Sequence, residues 1–398
     1  MKAIHTSDWH LGQQFHGVDR TDEHLWFLAR LKDIIVEEQP DVLIVSGDVY
    51  DNVAPTLAAQ RLYNRMMLEL HNARPGMKIV VTAGNHDSSS RLELHSDLWD
   101  AFDVKVIGSI ARNEDGTDYG RHIVEIPGAD GDAIGYVAAV PYIYHANYPQ
   151  TEDDAVNRMR HFHQTLLDRV AAINAKRLPV IMTGHLALTD SDIKGHESRG
   201  MHLVYENIED MGEGYDYLAL GHIHRPQPVT EKARYSGSPI PMNFDEDYPH
   251  TVTVVQIDGD GLSVNEREIP ALVPIYTVPA EGGDVTEAVQ AIAQLPAGKA
   301  YLRVRLKVKD VVPMPDRVAI EEAAARTGLM LCEIQPVREK NRQTVAGARA
   351  VEEIRHISPM DVALEYYRMR FESDMDDELK DMLQKCIDQA EKKKEEEA

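Results

Sequence analysis

Short apolar runs, each followed by a loop that holds glycine and a polar residue, constrain the fold of this chain most. Such runs occupy residues 41–45, 78–81, 179–182 and 217–220, with helical stretches between them. Strands that are apolar on both faces indicate buried sheets in a layered α/β fold. Polar groups just past the ends of such strands lie at the edge where α/β folds place their sites. The sequence therefore predicts an α/β fold with a functional site at the strand ends.

The pattern predicts three regions along the 398 residues. Residues 1–270 form the main α/β domain and include a hairpin at 251–264 around the turn 258–261. Pro270 and Pro274 mark a boundary, after which residues 271–340 form a small α/β cap domain with a β-α-β-α-β order in 275–337. Residues 341–398 comprise a polar linker and a C-terminal helix pair, which docks either on its own chain or on a separate partner.

One predicted strand of the cap domain alternates strictly between apolar and basic residues. The apolar face carries Leu302, Val304, Leu306 and Val308, whereas the basic face carries Arg303, Arg305, Lys307 and Lys309. This basic face is either an ordinary solvated surface or a surface that meets phosphates.

Composition limits the partners and the compartment. The formal net charge of -24 disfavours unaided nonspecific binding to nucleic acid, so a role on DNA needs divalent metals, a local basic surface or a basic partner. Two cysteines provide no disulfide framework. The first residues lack the apolar run of a signal peptide, and no stretch has the ~18 consecutive apolar residues of a membrane span. We expect a cytoplasmic protein that does not enter membranes.

Five short polar motifs follow strand-like runs in order: Asp8-Trp9-His10, Gly47-Asp48, Gly84-Asn85-His86-Asp87, Gly184-His185 and Gly221-His222-Ile223-His224. Imidazole, carboxylate and amide ligands suit a pair of borderline-hard divalent metals. In Asp-x-His and His-x-His, two ligands lie on the same side of an extended backbone and can reach one site. The motifs contain no cysteine, which argues against a structural zinc site. The predicted metal ligands are Asp8, His10, Asp48, Asn85, His185, His222 and His224.

The motif set resembles the calcineurin-like metallophosphoesterase superfamily and, within it, the SbcD family of nucleases. Residues 5–12, 47–51, 220–225 and 235–241 carry the closer resemblance. It implies a sandwich of two mixed sheets flanked by helices, with a small α/β cap and C-terminal helices. It also implies one metal on Asp8, His10, Asp48 and His224, a second on Asp48, Asn85, His185 and His222, and a bridging role for Asp48.

The family resemblance further implies a manganese-dependent DNA nuclease with 3′-to-5′ double-strand exonuclease and endonuclease activity, including hairpin cleavage, in DNA repair and recombination. The chain contains no Gly-x-x-x-x-Gly-Lys-Ser/Thr motif. An SbcC-type ATPase with a coiled coil is the implied partner, in a heterotetramer that contains a homodimer of the nuclease. The alternatives are a small-substrate phosphodiesterase or phosphatase on the same fold, and a non-catalytic scaffold.

Three residues near the ligands are candidates for catalysis. His86, beside ligand Asn85, is placed to protonate the leaving oxygen. Asp87 either orients His86 or caps the following helix. Asp51 stands where, by the family resemblance, archaeal and eukaryotic relatives carry a histidine, so it either orients His86 or holds a water on the substrate side.

Overall fold

The computed structural model describes residues 1–114, 116–151, 157–189, 191–194, 205–308 and 311–338, together with 360, 367, 375, 379–380 and 382–384. The chain divides into two compact units. The first comprises Met1–Leu306 and Val312–Pro336, and the second comprises Lys307–Val311 and Val337–Ala398. In the second unit, residues 379–380 and 382–384 are helical. The predicted linker and most of the predicted C-terminal helix pair lie outside the described residues, and the three-region division stays a prediction.

Two six-stranded sheets form the centre of the first unit. The first sheet has the strand order Gly261–Glu268, Thr251–Asp258, Lys2–Thr6, Val42–Ser46, Lys78–Thr82, Val104–Ile107. The second has the order Gln227–Pro228, Ala233–Tyr235, Tyr217–Gly221, Val180–His185, Ala133–Ala138, Ile123–Pro127. Both sheets are mixed. The first is parallel except for the two antiparallel pairs at its Gly261–Glu268 edge, and the second has parallel central strands with an antiparallel pair at each edge. The expected hairpin around residues 258–261 is present.

Alternation along the buried strands separates the layers. Val42 and Ile44 lie in an apolar core with Ile181 of the second sheet, so this core fills the space between the sheets. Leu43 and Val45 belong to a different core, which the first sheet shares with the helices on its outer face. Because successive side chains on a strand point to opposite faces, an all-apolar strand is buried on both sides.

Helices cover the outer face of each sheet. Thr21–Glu38 and Leu57–Ala73 pack on the first sheet, and Arg158–Ile173 packs on the second. Thr56 and Asn157 are N-caps, because their side chains accept hydrogen bonds from backbone N–H groups in the first turn. Two short helices, Ser89–Leu92 and Ser96–Asp100, follow the strand Lys78–Thr82 of the first sheet. The expected α/β fold of two mixed sheets flanked by helices is confirmed.

The cap domain has the expected β-α-β-α-β order. Its strands are Ile275–Gly283, Tyr301–Val308 and Met330–Arg338, with Tyr301–Val308 in the middle of the sheet, and its helices are Val285–Gln294 and Met314–Thr327. Asp284 and Glu287 form a capping box at the start of the first helix. Gly328 ends the second helix in the left-handed conformation. Within the described part of the chain, no helix is long and apolar enough to cross a membrane.

The basic face of the cap strand is only partly exposed to solvent. Arg303 is only 4% exposed, and its guanidinium forms an ion pair with Asp245 at 2.5 Å. Arg305 is half-buried and binds the Ala280 carbonyl oxygen and Gln335. Lys307 is exposed, whereas Lys309 lies outside the described residues. Arg303 and Arg305 share the predicted basic face, because both donate to Asp245, and a loop from a distant part of the chain thus partly covers that face.

Candidate metal centre

The five motifs meet at one edge of the two sheets. Each follows or ends a buried strand: Lys2–Thr6, Val42–Ser46, Lys78–Thr82, Val180–His185 or Tyr217–Gly221. Backbone hydrogen bonds join the first two loops, because the N–H groups of Asp8 and His10 donate to the carbonyl oxygens of Gly47 and Asp48. Across the sandwich, the N–H of His222 donates to the carboxylate of Asp8 at 3.0 Å. The strand ends therefore bring residues far apart in sequence into one site.

The predicted ligands form two clusters. Potential ligand atoms of Asp8, His10 and His224 all lie within 4.8 Å of one another, and the same holds for Asp48, His185 and His222. The amide oxygen of Asn85 adds to the second cluster, at 2.9 Å from Nδ1 of His222 and 3.1 Å from Nε2 of His185. Ligands held at about 2.1 Å by one octahedral ion lie about 3 Å apart. The second cluster already has this spacing.

Asp48 lies between the two clusters. Its Oδ2 is 3.3 Å from Nε2 of His185 in one cluster and 3.6 Å from Nε2 of His10 in the other. Its Oδ1 accepts a hydrogen bond from the backbone N–H of His86 at 2.9 Å, which fixes the orientation of the carboxylate. This position is the one that a bridging ligand requires.

Tight backbone packing is needed to bring these side chains together. A Cβ atom at Gly47 would lie 2.2 Å from Nδ1 of His185, and the φ angle of Gly47 is +88°. A glycine is therefore required there for both space and conformation. Positive φ angles also occur at four of the seven predicted ligands: Asp8, His10, Asp48 and His222. Non-glycine residues in this conformation are uncommon and concentrate at functional sites.

Three of the histidines have a second partner that orients the ring. Nδ1 of His185 lies 2.8 Å from the carbonyl oxygen of Ser46, so Nδ1–H donates and Nε2 is left for a metal. Nδ1 of His224 lies 3.3 Å from Oε1 of Glu246, and Nδ1 of His10 lies 3.5 Å from Oδ1 of Asp51. Such partners fix ring orientation and raise ligand basicity.

The residues present fit a pair of cations. Burial lowers the pKa of His10 and of His185, but nearby carboxylates outweigh burial and raise each pKa to about 9. For Asp48, burial is outweighed by His185 and His10, which hold its pKa well below the usual value. Both ring nitrogens of His10 are buried and face carboxylates, Nε2 at 3.6 Å from Asp48 and Nδ1 at 3.5 Å from Asp51. Carboxylate oxygens grouped around buried imidazole nitrogens are suitable ligands for a divalent cation, which would also neutralise the negative charge. At His224, burial and then the charge of His10 lower the pKa to about 4.

The three candidates for catalysis have different surroundings. Nδ1 of His86 lies 2.8 Å from the backbone carbonyl oxygen of Asp51, and the rings of His86 and His10 meet edge to face with centroids 4.9 Å apart. Asp51 therefore contacts His86 through its backbone, while its carboxylate lies beside His10. Burial raises the pKa of the Asp51 carboxyl, but hydrogen bonding to His10 and the charge of His10 outweigh it, so the pKa is lowered.

Asp87 does not contact His86 in the expected way. Its carboxylate accepts three backbone hydrogen bonds, from Gly84 at 2.8 Å, Val49 at 3.0 Å and Tyr50 at 2.8 Å. The N-cap of the following helix is Ser88, so Asp87 is not the capping residue either. The side chain instead ties the loop after Val42–Ser46 to the loop after Lys78–Thr82. Burial, followed by the nearby charge of Asp48, raises the Asp87 pKa to about 6 despite these bonds.

A cleft of about 1070 Å³ opens onto the two clusters. Its lining includes Tyr142, Tyr144, Phe15, Phe244 and Arg303. Glu246, which contacts His224 beside this cleft, was not recognised in the sequence. It lies in a segment without periodicity or a paired motif, so no local signal distinguishes it from its acidic neighbours.

The sequence profile described as Calcineurin-like phosphoesterase matches residues 1–226, which is more than half of the chain. The chain belongs to this family, and the expected enzyme class, a hydrolytic phosphodiesterase that uses divalent metals, is confirmed. A second profile, described as Type 5 capsule protein repressor C-terminal domain, matches residues 271–371.

Curated relatives narrow the family. The chain is 35% identical over 297 residues to the SbcD component of nuclease SbcCD from Rhodobacter capsulatus, and the match covers 71% of this chain and 72% of the relative. It is 31% identical over 308 residues to the SbcD component from Escherichia coli, with 72% of each chain covered. The SbcD component from Bacillus subtilis is 28% identical over 387 residues, with 92% of each chain covered. The chain is therefore a member of the SbcD family of nucleases, and the expected resemblance is confirmed.

Proposed function

We propose that this chain cleaves DNA with two manganese ions, as the nuclease component of a complex with an SbcC-type ATPase. The observation that carries the proposal is the position of Asp48 between the two ligand clusters. One ion would be held by Asp8, His10, Asp48 and His224, and the other by Asp48, Asn85, His185 and His222. Imidazole, carboxylate and amide ligands are compatible with Mn²⁺.

When bound, such a pair of cations supplies charge neutralisation to a phosphodiester and activates a water for attack on phosphorus. The protein contributes the geometry, because Ser46, Glu246 and Asp51 orient the ligand histidines. It also contributes a proton donor. Nδ1–H of His86 donates to the Asp51 carbonyl oxygen, so the doubly protonated ring would give its Nε2 proton to the leaving sugar oxygen and remain as neutral imidazole with the proton on Nδ1.

The activity we propose is 3′-to-5′ exonuclease action on double-stranded DNA together with endonuclease action that includes hairpins. The net charge of -24 makes strong DNA binding by this chain alone unfavourable. The partner ATPase, with its coiled coil, would supply much of the DNA contact and the ATP-driven control.

We further propose a homodimer of this chain within a heterotetramer, with residues 341–398 as the docking segment. The small number of cysteines supports a reducing compartment such as the cytoplasm.

The test is digestion of plasmid, hairpin and linear duplex DNA with defined ends, with and without the ATPase partner. A nitrophenyl phosphodiester serves as the small substrate in parallel. We expect cleavage of DNA in Mn²⁺, stronger than in Mg²⁺ or Zn²⁺, and none in chelator or with Asp48→Asn. The exposed Asp97→Asn is the matched control and should cleave like the parent. Hydrolysis confined to the nitrophenyl ester would contradict a DNA substrate and favour the small-substrate alternative.

A further inference from the structure

A loop of residues 241–246, here called the linking loop, joins a cap strand to a metal ligand. At its end, Glu246 contacts His224 of the first ligand cluster. Immediately before it, Asp245 and Phe244 contact Arg303 of the cap strand Tyr301–Val308. Adjacent residues of one short loop thus face the metal centre and the cap domain.

On the metal side, the loop itself holds the Glu246 carboxylate in place. Oε2 accepts the backbone N–H of Met242 at 2.9 Å, and Oε1 accepts the side-chain amide of Asn243 at 3.0 Å. Oε1 is also the atom that lies 3.3 Å from Nδ1 of His224. Because the side chain is fully buried, it cannot reorient without movement of the loop. The position of the loop therefore sets the orientation of the His224 ring.

On the cap side, the guanidinium of Arg303 contacts two adjacent residues of the linking loop. Its Nη2 and Nη1 donate to the two carboxylate oxygens of Asp245 at 2.5 and 3.2 Å. Nη2 also donates to the carbonyl oxygen of Phe244 at 3.3 Å, and the guanidinium lies over the Phe244 ring. Nε donates to Thr277 of the neighbouring cap strand. A buried bidentate arginine fixes both distance and direction, so these contacts tie the loop to the cap sheet.

The same cap strand also contacts the network that holds the start of the loop. The hydroxyl of Tyr301 donates to Glu23 at 2.6 Å, and Glu23 pairs with the buried guanidinium of Arg20. Arg20 in turn donates to the carbonyl oxygen of Pro241 at 2.6 Å. The cap strand therefore restrains both ends of the linking loop: Tyr301 acts on Pro241 through Glu23 and Arg20, and Arg303 contacts Phe244 and Asp245 directly.

We propose that the cap domain positions the metal ligand His224 through Arg303 and the linking loop, so that displacement of the cap strand weakens one metal site selectively. The affected site is the one formed by Asp8, His10, Asp48 and His224. The other site shares Asp48 with it, but its ligand His185 is oriented by the carbonyl oxygen of Ser46 and not by the linking loop. This inference rests on the proposed function. It makes the cap strand part of the support of the metal centre. A partner that moves the cap would therefore change how fully the metal site is occupied.

The experiment is calorimetric titration of the full chain with MnCl₂ alone. We expect the parent to bind two ions. Glu246→Gln should weaken one of the two by about 10- to 100-fold, and Arg303→Met and Asp245→Asn by about 2- to 30-fold, with the other ion bound as in the parent. Arg326→Met, an exposed arginine on a cap helix, is the matched control and should titrate like the parent.

Thermal unfolding in chelator checks that each variant is folded. If Arg303→Met unfolds, Arg303→Lys and Asp245→Asn decide the matter, because both keep most of the packing while losing the bidentate pair. Equal affinities in the parent and in the Arg303 and Asp245 variants would overturn the inference, as would equal weakening of both ions. A parent that binds fewer than two ions would instead contradict the proposed function.

Discussion

A Cβ atom at position 84 would lie 2.0 Å from Oδ1 of Asp48, so the backbone of Gly84 packs directly against the carboxylate that joins the two ligand clusters. The same oxygen accepts the N–H of His86. Only a residue without a side chain leaves room for this carboxylate in its present orientation.

Gly84→Ala should therefore displace Asp48 and weaken manganese binding by at least about tenfold, comparable to loss of a metal-orienting contact. The measurement is titration with MnCl₂, with circular dichroism to confirm the fold. Gly259→Ala is the matched control, because a Cβ there would have no heavy atom within 4 Å. Unchanged affinity in Gly84→Ala would show that Asp48 can move without cost.

His86→Ala should lower the rate of DNA cleavage by about 10²- to 10⁴-fold, the usual contribution of a proton donor, while the affinity for Mn²⁺ stays as in the parent. The side chain is not among the seven ligands, and the contact with Asp48 comes from the backbone N–H. Single-turnover cleavage and metal titration separate the two effects. The exposed His95→Ala serves as the control, and a His86→Ala protein that cleaves at the parent rate would remove His86 from the mechanism.

Asp87→Ala should reduce the free energy of unfolding by about 2–5 kcal/mol, because three backbone N–H groups would lose their acceptor. Urea unfolding in chelator measures this loss, and the exposed Asp97→Ala should change it by less than about 0.5 kcal/mol. If Asp87→Ala were as stable as the parent but cleaved slowly, a direct role beside His86 would be favoured over the structural one.

His163 should make the protein less stable in mild acid. Its ring is fully buried, and burial lowers its pKa from 6.5 to about 4, with partial compensation from the Asp210 carbonyl oxygen. Between these values the unfolded chain binds more protons than the folded chain. The contribution is therefore present in full above pH 6.5 and is lost as the pH falls toward 4, by at most about 1.4 kcal/mol per pH unit.

Urea unfolding at a series of pH values in chelator tests this dependence. His163→Gln should show a flatter loss of stability from pH 6.5 to 4 than the parent, whereas the exposed His161→Gln on the same helix should match the parent. Equal slopes in His163→Gln and the parent would exclude His163 as the source.

The sequence predicted those parts of the site that depend on residue patterns within single strands and in the loops that follow them. Apolar runs predicted the buried sheets, and motifs at their ends predicted which side chains meet. The rule that sites lie at the ends of parallel strands predicted where the ligands meet, whereas their division into two clusters around Asp48 was implied only by the family resemblance. The roles of His86 and Asp87 were harder to assign, because neighbouring side chains diverge: one faces the metal centre and the other faces the backbone of two loops.

Contacts between distant segments were beyond the sequence pattern. Alternation placed Arg303 on the basic face of its strand, but nothing in that alternation indicates that Asp245, 58 residues earlier, covers it. The contact of Glu246 with His224 was likewise not predicted, because no repeating pattern in the sequence around Glu246 marks it. Such contacts depend on how segments far apart in the sequence pack together, which short motifs do not encode.

The positive φ angles at Asp8, His10, Asp48 and His222 also restrict which residue types can replace these four during evolution. A β-branched replacement would be disfavoured twice, once through coordination chemistry and once through backbone sterics. Asparagine is the neutral residue that tolerates this conformation best. Lineages that lost activity while keeping the fold would thus be expected to pass through asparagine or glycine at these positions, and that substitution pattern would mark an inactive descendant.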